Sequence, residues 1–136
     1  MANLIYGKAK QSLLNGQINV SSQPLKVLLV DSSYTFSQNT HQFVSDIPSS
    51  SIKARSIALV NIQNVLGVLD AYDLTITDYS GAAFKAVVLY AEGASDAASR
   101  LIAYIDTATG VPFAGINTTL NITIVWSNDS TKIISL

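Results

Sequence analysis

Few side chains in this sequence could perform acid–base chemistry or bind a metal. The chain of 136 residues has one histidine, His41, one glutamate, Glu92, and no cysteine. His41 lies in a polar stretch, where a solvated imidazole is the simplest interpretation. A serine hydrolase would need that histidine beside a carboxylate and a reactive serine, and no Gly-x-Ser-x-Gly motif occurs. Without cysteine there is no thiol nucleophile, thiolate metal site or disulfide.

Three aspartates lie close enough in the sequence to be considered as candidates for an acid–base pair of carboxylates. Asp70 and Asp73 are three residues apart, and Asp78 follows. Asp73 alternates with apolar residues in a strand-like pattern, which places it on a solvated face with neighbouring threonines. A calcium loop would need oxygen ligands at alternate positions, a central glycine and a terminal glutamate, and none precedes Glu92 in that pattern. The sequence therefore predicts no catalytic residue and no metal site.

The same reasoning excludes several classes of partner. The seven glycines are dispersed among turns and form no phosphate-binding loop, so we expect no nucleotide or other cofactor. Eight basic residues lie singly between Lys8 and Lys132, with a formal net charge of -1, which argues against nucleic-acid binding. The sequence shows no signal peptide and no apolar run long enough to cross a membrane. We expect a soluble protein that is not an enzyme and has no small-molecule substrate.

Composition indicates a protein that is buried against others. Hydrophobic residues make up 49% of the chain and charged residues 12%, about half the usual charged share. Mixed surface charge normally keeps a free monomer soluble. We therefore interpret the low charge as a sign of partner contacts, although abundant neutral polar residues could also cover a surface. Length predicts one domain over residues 1–136.

The elements begin with a short helix and continue as strands. Ile5, Ala9 and Leu13 recur every four residues, and Asn15-Gly16 supplies a stop, so residues 1–16 form the predicted N-terminal helical segment. Residues 17–136 are predicted to form strands, with a turn or bulge at Gly67 and a long loop from Ser37 to Ser51. The predicted strands cover residues 26–30, which we place centrally, 56–62, 72–77, 83–90, 101–106, 120–127 and 132–136.

Turn signals every 8–12 residues between these strands predict a fold that is mainly β. The spacing favours a jelly-roll-like antiparallel β-sandwich with a short N-terminal helix. An immunoglobulin-like sandwich gives similar spacing, so strand order stays open at this point.

Several segments resemble small virion proteins of tailed bacteriophages. They are the opening Met-Ala-Asn-Leu-Ile-Tyr-Gly-Lys-Ala, the segment Leu-Lys-Val-Leu-Leu-Val-Asp followed by Tyr34-Thr35-Phe36, residues 101–110, and the ending Val-Trp-Ser-Asn with Lys-Ile-Ile. The resemblance covers essentially the full chain. It is greatest to capsid cement, or head decoration, proteins, which are jelly-roll-like sandwiches that oligomerise over contacts between major capsid proteins.

This resemblance implies a function in assembly. The expected partner is the major capsid protein, and the expected assembly is a homo-oligomer, a dimer or a trimer. The expected location is the capsid surface of the virion, and the host cytoplasm during assembly. We expect the N-terminal helix and the loop Ser37–Ser51 to make the contacts. The alternative is a tail or fibre component that binds the host surface.

Overall fold

Antiparallel strands form most of the computed structural model, which describes residues 4–107, 110–126 and 133–135. Strand makes up 37% of the structure and helix 11%. The fold class predicted from the sequence, a mainly β antiparallel sandwich with a short N-terminal helix, is confirmed. The elements are β1 Leu4–Ile5, α1 Gly7–Leu14, β2 Leu25–Val30, 3-10 helices at Val44–Asp46 and Ser49–Ser51, β3 Ile52–Arg55, β4 Gln63–Val65, β5 Val68–Asp70, β6 Leu74–Tyr79, β7 Ala86–Ala91, β8 Arg100–Ile105, β9 Leu120–Ile124 and β10 Ile134–Ser135.

The largest sheet has five antiparallel strands in the order β1-β8-β7-β2-β3. β2 lies inside this sheet between β7 and β3, as its apolar sequence predicts. Every residue of β7 is buried, because protein covers both faces of the sheet. β7 and β8, which correspond to the predicted strands 83–90 and 101–106, pair in antiparallel register, and β7 begins at Ala86. Residue 84, included in the predicted strand, forms only an isolated bridge with Phe113.

Helix α1 and strand β1 attach the N-terminal segment to β8. β1 pairs with β8 in antiparallel register, with Leu4 opposite Tyr104. The helical segment predicted for residues 1–16 is wrong at its start, where β1 lies. The helix begins after Tyr6 and ends before Asn15, and Gly16 follows with φ +71. Gly16 adopts this left-handed conformation without the steric cost of a side chain, so the predicted helix end is confirmed.

Two smaller sheets complete the fold. One has the order β10-β5-β4, and the other pairs β6 with β9. Leu74 and Ile76 of β6 are buried while Thr75 is exposed, as the alternating pattern predicts. The strand predicted at 72–77 is wrong at its start, because Tyr72 precedes β6 and is 61% exposed. The strand predicted at 132–136 is confirmed for β10, and residues 127–132 lie outside the described part of the chain.

The strand predicted at 56–62 is the clearest error. The strand ends at Arg55, and the Ser56 hydroxyl then accepts a 2.9 Å hydrogen bond from the backbone N–H of Val27. The backbone N–H of Ser56 also donates to the Val27 carbonyl at 2.9 Å. A serine side chain that replaces a strand carbonyl in this way interrupts the ladder. Residues 57–62 continue as irregular chain, with Leu59 buried and Ile57 exposed.

Candidate interaction surface

The lone histidine belongs to a hydrogen-bonded chain of aromatic side chains. Nδ1 of His41 lies 2.8 Å from the Tyr34 hydroxyl, and that hydroxyl lies 2.8 Å from the hydroxyl of Tyr6. The His41 and Tyr34 rings also stack, with centroids 5.5 Å apart. Burial raises the pKa of Tyr34 to about 12, so this hydroxyl keeps its proton at neutral pH. His41 is half-buried and bonded, so the interpretation of a solvated imidazole was wrong.

The carboxylates of two of the three aspartates hold local backbone structure. Asp70 accepts a hydrogen bond from the N–H of Ala71 at 2.9 Å, and Asp73 accepts one from the N–H of Trp126 at 3.0 Å. Asp78 has φ +56, at the point where the β6–β9 register shifts. The side chains of Asp70 and Asp73 thus bond to backbone near strand ends, whereas Asp78 lies within β6 and donates its backbone N–H to the Asn121 side chain at 3.1 Å. Within residues 4–107, 110–126 and 133–135, no three His, Asp or Glu side chains form a group that could hold a metal ion.

A shallow pocket of about 180 Å³ lies between the turn after β2 and the start of β7. Its two charged side chains have partners in the chain: Lys85 Nζ donates to the Tyr34 carbonyl at 2.6 Å, and Asp31 pairs with Lys53 Nζ at 3.1 Å. Hydrogen bonds from Ser33, aided by Lys53, hold the pKa of Asp31 below its usual value. Internal hydrogen bonds thus already engage both charged groups that line the pocket.

The loop Ser37–Ser51, predicted to contact a partner, packs into the domain. Val44 and Ile47 are buried, and the N–H of Val44 donates to the Ser99 carbonyl at 2.8 Å. The guanidinium of Arg100 lies 4.9 Å from the centre of the Phe43 ring. These contacts turn the apolar side chains of the loop inward. Its role in partner binding stays a prediction, and the same holds for α1, whose last residue Leu14 is 89% exposed.

The exposed large apolar side chains of the described residues concentrate in one part of the chain. Five of these eight side chains fall within residues 57–72, on the β4–β5 hairpin and the chain at its base. The base is closed by a 2.9 Å hydrogen bond from the N–H of Tyr72 to the Val60 carbonyl. We call this group the hairpin surface; it consists of Ile57, Val60, Val65, Leu66 and Tyr72.

Leu66 occupies the tip of the hairpin in an unfavourable conformation. Val65 pairs with Val68, so the loop consists of Leu66 and Gly67 alone, and their φ values are +52 and +80. Two-residue loops with positive φ at both positions favour Asn-Gly or Asp-Gly, because a left-handed leucine is strained by about 1 kcal/mol or more. The Leu66 side chain is also 97% exposed. The backbone of Leu66 is therefore strained and its apolar side chain is exposed to solvent. No contact that its side chain makes within the described part of the chain offsets these two costs.

Most of the hairpin surface lies in a stretch without charged residues. Residues 57–69 include no Asp, Glu, Lys or Arg, whereas Asp70 and Asp73 lie on either side of Tyr72 in the sequence. Interface centres are depleted in charged residues, and large exposed apolar side chains that lie close in the chain, as these do, are candidates for such a centre. The arrangement suits contact with another apolar protein surface.

Sequence reasoning found the turn at Gly67 but missed the hairpin surface. An apolar run such as Val65-Leu66 is interpreted by default as core, because apolar residues usually are. The available signal was the leucine before glycine, where a two-residue hairpin favours asparagine or aspartate.

No protein-family model matches the sequence, and no curated protein is significantly similar to it. No helix among the described residues is long and apolar enough to span a membrane.

Proposed function

We propose that this chain is a virion structural protein of a tailed bacteriophage, a capsid cement protein that stabilises the head by binding across contacts between major capsid proteins. It acts as a homo-oligomer on the capsid surface and assembles there in the host cytoplasm. The proposal is supported by the resemblance of its sequence segments to such proteins, by its low charge, and by the exposed apolar side chains of the hairpin surface.

Leu66 is the single observation that carries the binding part of this proposal. Strain and exposure at one leucine are both unfavourable for the isolated domain, and residues held in unfavourable conformations concentrate at functional sites. Burial of the Leu66 side chain in an apolar pocket on a partner would offset both the backbone strain and the solvent exposure. Full burial of a leucine contributes about 1.5–3 kcal/mol.

A cement protein stabilises a shell because its binding is thermodynamically coupled to assembly of the shell. A protein that binds only the assembled lattice shifts the equilibrium toward that lattice by mass action. A symmetric shell repeats the same site many times, so a modest energy at each site adds up. Contact through a small hairpin whose only charged residue is Asp70 is therefore compatible with this role.

The proposal is tested by binding the purified chain to shells of the major capsid protein that lack it. The matched variants are Leu66→Asn and Val125→Asn, because Val125 is also apolar and 67% exposed but lies outside the hairpin surface. We expect Leu66→Asn to weaken binding about tenfold or more, and Val125→Asn to leave it unchanged. Equal effects of the two substitutions would reject Leu66 as the contact.

Electron cryo-microscopy of the particle distinguishes this function from the alternative. A cement protein gives added density over the head lattice at every equivalent position. Density along the tail or its fibres instead would reject the cement function and favour a component that contacts the host surface.

A further inference from the structure

The outer strands of the five-stranded sheet are protected from pairing with another strand. β1 has two residues, and the side-chain amide of Gln38 donates to the Ile5 carbonyl at 3.1 Å. β3 carries Lys53 and Arg55, and charged side chains at a sheet edge oppose pairing with another chain. Neither edge is open to a further strand.

The β6–β9 pair is irregular, and β10 is short. The register between β6 and β9 shifts between Ile76 and Tyr79, where Asp78 has φ +56. Such a bulge increases the local twist and makes an edge a poor template. The apolar side chains of β9 are half-buried, and β10 has two residues.

β4 is also short, with three residues, but it has neither the charge nor the bulge nor the side-chain cover of the other edges. Its residues Gln63, Asn64 and Val65 are all exposed and uncharged, and they pair with β5 in unbroken register. In a two-residue hairpin the pair beside the turn, here Val65 and Val68, is hydrogen-bonded, so the N–H and C=O of Asn64 point away from β5. They have no backbone partner among the described residues. The outer edge of β4 is thus an open pairing template.

We propose that the β4 edges of two copies of this chain pair antiparallel across a two-fold axis. In a two-fold contact each surface meets a copy of itself, so any charge near the axis would face a like charge. β4 has no charged side chain, which suits self-pairing for this reason, and Asp70, opposite Gln63 on β5, lies one strand away from the axis. The two three-stranded sheets become one sheet of six strands, ordered β10-β5-β4 and then β4-β5-β10 of the second copy.

This pairing directs the two Leu66 tips in opposite directions along the joined sheet. A dimer of this form could contact two neighbouring subunits of a lattice at once, which is what a cement protein requires. The inference rests on the proposed function for the identity of the surface that the tips contact. The pairing itself depends only on the chain.

The test measures the mass of the isolated full chain by sedimentation equilibrium, with no capsid present. We expect a dimer for the wild type, and an increase of the dimer dissociation constant of about tenfold or more for Asn64→Pro, since two outward N–H donors are lost per dimer. Proline at this position leaves the β4–β5 hydrogen bonds in place. Asn64→Thr keeps the N–H donor and should remain a dimer. A monomeric or trimeric wild type overturns the inference, as does an Asn64→Pro variant of unchanged affinity.

Cross-linking gives a second measurement that does not depend on the proline variant folding. Because the chain has no cysteine, Gln63→Cys or Asn64→Cys introduces one thiol near the proposed axis. We expect at least one of them to form a disulfide dimer on mild oxidation, while Val125→Cys in the control position stays monomeric on a denaturing gel. Equal cross-linking at residue 125 overturns the inference. A dimer that does not bind shells rejects only the cement function, and a monomer that binds them rejects only the pairing.

Discussion

The hydroxyl of Tyr6 lies 2.8 Å from the hydroxyl of Tyr34, although 28 residues separate them in the chain. Tyr6 is fully buried and caps the start of α1, whereas Tyr34 lies in the turn region after β2 and also bonds to His41. Burial raises the pKa of Tyr6, so its hydroxyl stays protonated. Removal of the Tyr34 hydroxyl therefore takes away the partner of Tyr6, whereas removal of the Tyr6 hydroxyl leaves Tyr34 bonded to His41.

We predict that Tyr34→Phe destabilises the domain by about 2 kcal/mol and Tyr6→Phe by about 1 kcal/mol. Tyr34→Phe leaves the Tyr6 hydroxyl buried without its partner, whereas Tyr6→Phe leaves Tyr34 bonded to His41. The double variant should cost less than the sum of the two. Urea unfolding of the four proteins measures this cycle, and strictly additive values would contradict the pairing.

Replacement of the strained turn residue should stabilise the isolated domain. We predict that Leu66→Asn raises the free energy of unfolding by about 1 kcal/mol, because asparagine tolerates positive φ better than leucine. Leu66→Ala keeps the strain and should change stability little. Urea unfolding of the three proteins checks this, and equal stability of the Asn and Ala variants would exclude strain at this turn.

A steric prediction concerns Gly81, which has φ +89. A Cβ atom there would meet the carbonyl oxygens of Ile116 and Thr118 well inside contact distance. We predict that Gly81→Ala costs about 3 kcal/mol or more, while Gly16→Ala, at φ +71 with open space around it, costs about 1 kcal/mol. Thermal unfolding of the two variants gives the comparison. Similar melting temperatures would mean that the close approach at Gly81 is absent.

Acid should weaken the fold partly through Asp31. Hydrogen bonds from Ser33 and the nearby Lys53 lower the pKa of Asp31 in the folded state, so the stabilisation is present above the ordinary value of 3.8 and is lost as the pH falls through the lower folded pKa. We predict that wild type exceeds Asp31→Asn in stability at about pH 6 and that the difference shrinks toward about pH 3. Urea unfolding across this range measures it. A constant difference would contradict the assignment.

The elements that the sequence predicted well are those with a strong local signal. β2 and β7 are runs that are apolar on both faces, and α1 has a four-residue period with a glycine stop. The strand error at 56–62 has a non-local cause, since the Ser56 hydroxyl takes the N–H of Val27, which is 29 residues away. No periodic pattern in the sequence indicates that the Ser56 side chain will take the place of a backbone acceptor on the neighbouring strand.

The candidate surface could be predicted only in part. Gly67 marked a turn, but whether Leu66 points to the core or to solvent depends on the pairing of β4 with β5. The bond between His41 and Tyr34 likewise depends on how a loop folds back over the sheet. Both features depend on how separate segments pack against each other, which a local sequence pattern does not indicate.

The pairing of β1 with β8 also affects how the chain folds as it is synthesised. Leu4 lies opposite Tyr104, so the first strand meets its partner only after about 100 more residues have been translated, which takes about 5–20 s at typical rates. Until then the apolar residues of β1 have no sheet to join. Chaperone dependence during expression should therefore fall when the N-terminal segment is supplied last, as in a circular permutant.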